Sequence, residues 1–145
     1  MRLLAALLLL SSAPAAAAVD LYAPVYTYHM PYAYSPALRR TYNDVPLGVG
    51  LGKDGVFAME FADSHDRPQY NAGYAWLPTW RPFGKDVALG AGLAGLIIAR
   101  SDIRRYTPFP AVLPLGSVAY RGVALQTTFI PGANVVFTWL KLSLF

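Results

Sequence analysis

The residues with the clearest chemical potential lie in a polar loop between two aromatic-rich segments. This loop contains Asp63, Ser64 and His65, and a second histidine, His29, ends an earlier aromatic segment. A histidine can act as a general base near neutral pH, a carboxylate can orient it, and a serine hydroxyl can be a nucleophile or a hydrogen-bond donor. We therefore take His29, Asp63 and Ser64 as the candidate catalytic set. Spacing alone does not establish catalysis, because a lone histidine at a strand end is more often part of a polar and aromatic girdle.

Other patterns exclude several functions. The stretch at 90–95 matches G-x-G-x-x-G formally, but no βαβ unit surrounds it, so a dinucleotide site is not expected. With two histidines, no cysteine and no metal-ligand spacing, we predict no metal and no other cofactor. The net charge of +4 has no dense basic face behind it, which argues against a nucleic-acid partner.

The composition points to a membrane protein that is exported. Hydrophobic residues make up 55% of the chain, more than an average soluble domain carries. A basic start, an apolar run at 3–10 and three alanines at 16–18 predict a signal peptide over residues 1–18. The alternative, an N-terminal anchor, has too short an apolar run. Later apolar segments are interrupted by Gly or Pro, so membrane insertion is expected through a β-barrel.

The elements that must position the catalytic set read as strands. Eight runs have strand-like patterns, at 21–29, 45–53, 56–63, 70–80, 87–99, 111–120, 123–131 and 135–145. Short turns alternate with longer polar loops, which is typical of small transmembrane barrels. We predict an all-β fold, a single eight-stranded antiparallel barrel over 19–145. Its external end would carry all three catalytic candidates.

Strand alternation predicts which side chains fill the interior. In the fourth run, the inward set is Asn71, Gly73, Ala75 and Leu77, and the lipid-facing set is Tyr70, Ala72, Tyr74 and Trp76. Small inward residues leave an apolar slot that suits a hydrocarbon chain, although ordinary packing against bulky residues opposite is the alternative. The same parity turns Glu60 toward lipid, and the sequence offers no reason for a carboxylate there.

Prolines and arginines suggest how lipids reach this interior. Proline removes a ladder hydrogen bond, so prolines on adjacent strands predict gaps in the wall, unless they merely mark strand ends. The two pairs are Pro114 with Pro131, and Pro24 with Pro46. Arginines near the external end fit a phosphorylated lipid headgroup or a solvated loop surface. They are Arg39, Arg40, Arg67, Arg100, Arg104 and Arg105.

Several motifs together resemble the lipid A palmitoyltransferase (PagP) family over nearly all of the mature chain. In chain order they are DLY-x-P at 20–24, R-x-YN-x-x-P at 40–46, FAM-x-F-x-DS at 57–64, AGY-x-W at 72–76, TWRP at 79–82, LPL-x-S at 113–117 and IPG at 130–132. The resemblance implies an outer-membrane acyltransferase that moves a palmitoyl chain from the sn-1 position of a glycerophospholipid to a hydroxyacyl chain of lipid A.

The resemblance also assigns roles. His29, Asp63 and Ser64 correspond to the active residues, and the proline pairs correspond to gaps that admit lipids laterally. Substrate contacts are expected from Arg40, Met59, Gly73, Ala75 and Arg100. Ala75 stands where Gly gives the deepest acyl pocket, so we expect a donor chain slightly shorter than palmitoyl.

A different class of function remains possible. Some small outer-membrane barrels are not enzymes and have a structural or adhesive role, with polar, charge-networked interiors. The small apolar interior predicted here favours the enzyme. We expect a monomer in the outer membrane of a Gram-negative bacterium, with lipid A or lipopolysaccharide as acceptor and the active site at the external leaflet.

Overall fold

A computed structural model describes residues 18–30, 42–131 and 133–144. Its strands are β1 (Val19–His29), β2 (Gly48–Lys53), β3 (Val56–Ala62), β4 (Pro68–Trp76), β5 (Thr79–Trp80), β6 (Val87–Arg100), β7 (Phe109–Tyr120), β8 (Val123–Ile130) and β9 (Val135–Leu144). One turn of 3-10 helix, Arg104–Tyr106, lies between β6 and β7. Residues 1–17 of the predicted signal peptide lie outside the described ranges, so that peptide stays a prediction.

The strands form a closed antiparallel barrel. Apart from β4 and β5, strands that are consecutive in the chain pair with each other, β1 pairs with β9, and β4 pairs with β6. The segments β4 and β5 both pair with β6, Trp76 opposite Leu93 and Thr79 opposite Gly90, so they are one strand with a break at Leu77. This confirms the predicted eight-stranded barrel. At the break, a Cβ on Gly92 would lie 1.9 Å from the carbonyl oxygen of Trp76, so only glycine fits there.

The two ends of the barrel differ. At one end, called the turn end, two hairpins close through Asp54-Gly55 and Arg121-Gly122, all with positive φ. Positive φ at both central residues is the geometry that two-residue hairpins prefer. At the opposite end, called the site end, β1 finishes at His29 and β3 leads into the 63–67 loop. The catalytic candidates therefore share one end, as predicted.

Alternation along the strands separates the interior from the outer surface. On β4, Asn71 is buried whereas Tyr70, Tyr74 and Trp76 are exposed, as the parity predicted. On β3, Glu60 faces outward, between its ladder partners Val49 and Tyr70. Inward side chains form the core cluster Tyr22, Phe57, Met59, Phe61, Ala94, Leu96, Ile98, Leu113, Leu115, Phe137 and Trp139. The described residues include no helix with the length and apolarity to cross a membrane.

The wall is not paired along its whole height. The β7–β8 ladder runs from Tyr120–Val123 only to Leu115–Thr128, so the site-end part of β7 has no partner on β8. Similarly, β1 pairs with β2 only through residues 20–22. Both interruptions lie toward the site end, and each leaves a stretch of wall without ladder hydrogen bonds.

Candidate active site

His29, the last residue of β1, lies within hydrogen-bond distance of side chains from two different loops. Its Nε2 lies 3.1 Å from Ser64 Oγ, and its Nδ1 lies 3.2 Å from Asp44 Oδ1. The His29 side chain is only 8% exposed. Two of the three predicted catalytic residues, His29 and Ser64, are therefore within hydrogen-bond distance, which is the arrangement of a base and a hydroxyl that it can activate.

Asp63 organises the loop that carries Ser64. Its Oδ1 accepts hydrogen bonds from the backbone N–H groups of His65 (2.8 Å) and Arg67 (3.0 Å). Its own N–H donates to the Arg67 carbonyl at 2.7 Å, so the loop closes on itself. An aspartate that caps the following N–H groups is a common way to fix a tight turn. This turn places Ser64 opposite His29.

The other carboxylate oxygen of Asp63 belongs to a second cluster of charged side chains. Asp63 Oδ2 is buried without a hydrogen bond, and Arg100 Nη2 lies 3.6 Å from it. Arg100 also binds both oxygens of Asp102, Nε at 2.9 Å and Nη2 at 2.7 Å. Arg100 therefore compensates two carboxylates from different loops. Sequence alone predicted Arg100 as a lipid contact but did not indicate this bridge.

Asp102 and His65 complete that second cluster. Burial acts to raise the pKa of Asp102, but the hydrogen bond and the charge of Arg100 outweigh it and hold this pKa below its usual value. His65 Nδ1 lies 4.0 Å from Asp102 Oδ2. Asp63, His65 and Asp102 bring one ligand atom each within 4.8 Å of one another. Because the Arg100 guanidinium already contacts both carboxylates, we assign no metal to this cluster.

Tyr42 links the two halves of the site. Its ring stacks on His29 at a centroid distance of 4.5 Å and meets the edge of His65 at 5.6 Å. Sequence reasoning did not give Tyr42, Asp44, His65 or Asp102 a role. A signal was present only for Tyr42, which the motif at 40–46 specifies.

The site opens into a cavity of about 550 Å³ that descends into the barrel. Its wall includes the polar residues Thr27, Gln69, Asn71 and Thr128. The rest of its lining is mostly apolar and includes Phe57, Met59, Phe61, Ala94, Leu96, Leu113, Phe137 and Trp139. A mostly apolar cavity with polar groups at its mouth is the usual form of a small-ligand site.

The predicted substrate contacts do not all line the same cavity. Met59 and Arg100 line the large cavity. Ala75 lines a second cavity of about 510 Å³ at the turn end, while its direct partner on β6, Ala94, lines the large one. Ala75 therefore lies at the level that separates the two cavities. Gly73 faces inward and is half-buried, and Arg40 lies outside the described residues.

The predicted gate prolines flank the two interruptions of the wall. Pro114 is the β7 residue next to the last β7–β8 pair, and its carbonyl accepts a 2.6 Å hydrogen bond from Thr128 Oγ1. Pro131 directly follows β8. Pro24 lies beside a bulge in β1, and Pro46 is fully buried just before β2. Each pair therefore borders a break, which supports the predicted gaps.

Comparison with known proteins supplies the family. The family described as "Antimicrobial peptide resistance and lipid A acylation protein PagP" matches residues 10–141 of the chain. The chain belongs to the PagP family. It is 47% identical over 135 residues to the lipid A acyltransferase PagP of Laribacter hongkongensis, which covers 84% of this chain but only 65% of that relative.

Two further PagP relatives show similar agreement. Identity is 40% over 137 residues with the lipid A acyltransferase PagP of Edwardsiella tarda, covering 85% of this chain and 74% of the relative. It is 41% over 138 residues with that of Cronobacter sakazakii, covering 86% and 71%. The PagP family and the closed barrel together fit an outer-membrane protein, in line with the apolar outer surface.

Proposed function

We propose that this protein is a lipid A acyltransferase. It transfers a palmitoyl or slightly shorter chain from the sn-1 position of a glycerophospholipid to a hydroxyacyl chain of lipid A. The observation that carries the proposal is the His29–Ser64 pair, 3.1 Å apart, at the mouth of an apolar cavity of about 550 Å³. The name lipid A acyltransferase PagP, shared by relatives from several organisms, supports it.

The transfer needs one base that later acts as an acid. His29 Nε2 accepts the proton of the acceptor hydroxyl while the hydroxyl oxygen attacks the donor carbonyl carbon. The tetrahedral intermediate collapses, the bond between that carbon and the sn-1 oxygen breaks, and His29 returns the proton to this oxygen. The products are acylated lipid A and a lysophospholipid. This reaction requires no redox partner and no cofactor.

Ser64 and Asp63 support this step in different ways. Ser64 Oγ either donates a hydrogen bond to the developing oxyanion, or gives its proton to His29 and attacks the donor carbonyl carbon itself. In the second case the lysophospholipid leaves with that proton, and the lipid A hydroxyl, deprotonated by His29, then displaces Ser64 from the acyl group as the proton returns to Ser64 Oγ. Asp63 was expected to support His29, but its carboxylate binds the N–H groups of its own loop and faces Arg100. We therefore propose that Asp63 acts by holding Ser64 in place.

The depth of the cavity would set the length of the donor acyl chain that the enzyme prefers. A donor chain would run from the site past Met59 toward the level of Ala75 and Gly73. Each methylene that fits is worth about 0.8 kcal/mol, or roughly a fourfold preference. The methyl group of Ala75 would then limit the depth that the chain reaches.

The wall breaks and the rim suggest how the substrates approach. Lipids would enter sideways through the Pro24–Pro46 and Pro114–Pro131 breaks from the external leaflet of the outer membrane. Arg100 binds Asp102 through Nε and Nη2, so Nη1 would remain for a headgroup phosphate, together with Arg40. One chain closes the barrel and contains the whole described site, consistent with a monomer.

The proposal is tested by mass spectrometry of lipid A from Gram-negative cells that lack their own enzyme of this type. Cells expressing the wild-type protein should gain one long acyl chain, and cells expressing His29→Ala should not. Asp86→Asn, which changes an exposed residue at the turn end, is the matched control and should behave as wild type.

The folding of each variant is checked by its heat-modifiable mobility in gel electrophoresis. A folded wild-type barrel that leaves lipid A unchanged would overturn the proposal and favour a structural or adhesive barrel. Acylation that persists in His29→Ala would keep the function but remove His29 from its mechanism.

A further inference from the structure

A carboxylate other than Asp63 contacts the catalytic histidine. Asp44 Oδ1 lies 3.2 Å from His29 Nδ1, on the opposite side of the ring from Ser64. We propose that Asp44 is the positioning residue of His29, so that the order along the hydrogen bonds is Ser64, His29, Asp44. This inference rests on the proposed function, because it assigns a residue to the same reaction.

The chemistry of the two contacts fixes the state of the ring. A carboxylate can only accept a hydrogen bond, so the proton of neutral His29 is on Nδ1 and points at Asp44. Nε2 then keeps its lone pair and can accept the proton of Ser64 or of a substrate hydroxyl. The opposite tautomer would turn Nε2 into a donor and would prevent it from acting as a base.

Asp44 is held in place from both sides. Its carbonyl accepts a 2.8 Å hydrogen bond from the N–H of Thr27, two residues before His29 on β1. Its neighbour Asn43 donates its backbone N–H to the Ser64 carbonyl at 2.9 Å and its side-chain amide to Asp66 at 2.6 Å. The segment that carries Asp44 thus ties the strand of the base to the loop of the serine.

The two aspartates of the site therefore have separate tasks. Asp63 has a side chain that is only 1% exposed and is committed to its loop and to Arg100. The Asp44 side chain is 51% exposed and directs an oxygen at the ring. Since water can partly replace such an exposed carboxylate, the expected loss on its removal is smaller than the roughly 10⁴-fold known for a buried one.

The experiment compares Asp44→Asn, Asp44→Ala and Asp44→Glu with wild type in detergent micelles, using a phospholipid donor and lipid A. Asp44→Asn should lower kcat by about 10- to 100-fold with KM little changed, because its amide can donate to Nδ1 and favour the wrong tautomer. Asp44→Glu should recover most of the rate. Asp86→Asn removes an exposed carboxylate at the turn end, away from the site, and should retain full activity.

A spectroscopic readout separates this inference from the proposed function. The ¹⁵N spectrum of His29, recorded where histidine is neutral, should show a protonated Nδ1 in wild type and a loss of this preference in Asp44→Ala. A wild-type protein without acyltransferase activity would overturn the function, while the spectrum would still decide the role of Asp44. An unchanged tautomer, or a wild-type kcat in Asp44→Asn and Asp44→Ala, would overturn the inference.

Discussion

At the residue scale, the choice between a covalent and a direct transfer depends on Ser64. Its Oγ lies 3.1 Å from His29 Nε2, and this geometry serves either route. If Ser64 is the nucleophile, rapid-quench samples with donor alone should contain acyl-Ser64, and Ser64→Ala should lose at least about 10²-fold in kcat. If it only donates to the oxyanion, no acyl-enzyme forms and Ser64→Thr should remain active. Ser64→Ala with full activity would contradict both roles.

Asp102 gives a prediction for the pH dependence of stability. Its pKa is held below its usual value of 3.8 by Arg100, despite the opposing effect of burial. A lowered folded-state pKa means that the stabilisation is complete above pH 3.8 and is lost as the pH falls below it. The thermal midpoint in micelles should therefore drop more on acidification for wild type than for Asp102→Asn.

The control for this prediction is the exposed pair of Arg121 and Asp86 at the turn end, 3.2 Å apart. Exposed ion pairs contribute little to stability. Asp86→Asn should therefore follow the wild-type acid profile. If Asp102→Asn and wild type lose the same number of degrees, the bridge from Arg100 to Asp102 does not stabilise the fold.

At the scale of the strands, the break between β7 and β8 is predicted to admit a lipid. The chain has no cysteine, so two introduced cysteines have no other cysteine in the chain to pair with. The ladder register places Pro114 opposite Phe129, just beyond the last pair, Leu115–Thr128. A Pro114→Cys/Phe129→Cys disulfide should close the break and abolish acylation, and reduction should restore it. A disulfide between Ala119→Cys and Ala124→Cys, within the paired ladder, should have no effect; equal activity of both oxidised proteins would contradict the gate.

Strand β4 carries the prediction for chain length. Ala75→Gly should move the preferred donor toward longer chains, because it removes a methyl group at the level where the two cavities meet. Ala72→Gly, on the outer face of the same strand, is the matched control and should keep the wild-type preference. Donors of graded length would measure both. A preference that Ala75→Gly leaves unchanged would show that the floor is set elsewhere, for example by Trp139, whose Nε1 donates to Gln126 at 2.9 Å.

At the scale of the whole molecule, the sequence predicts the features that follow from the alternation of side chains between the two faces of a strand. It gives the eight strands, the common end of His29 and Ser64, and the inward face of Asn71, because each follows from alternation and turn positions. It does not predict that Asp44 meets His29, since that contact needs the fold of the loop between β1 and β2. The bridge from Arg100 to two carboxylates is missed for the same reason.

The orientation of the barrel in its membrane gives the last prediction. The outer surface is apolar around the strands, and the polar loops of the active site all lie at one end, so the proposed reaction at the external leaflet requires that end to face outward. Because the chain has no cysteine, single substitutions report on each end. Arg67→Cys, at the site end, should react with a membrane-impermeant maleimide in intact cells, and Lys85→Cys, at the turn end, only after permeabilisation. The opposite labelling pattern would place the active site in the periplasm, where the donor phospholipid would come from the inner leaflet instead.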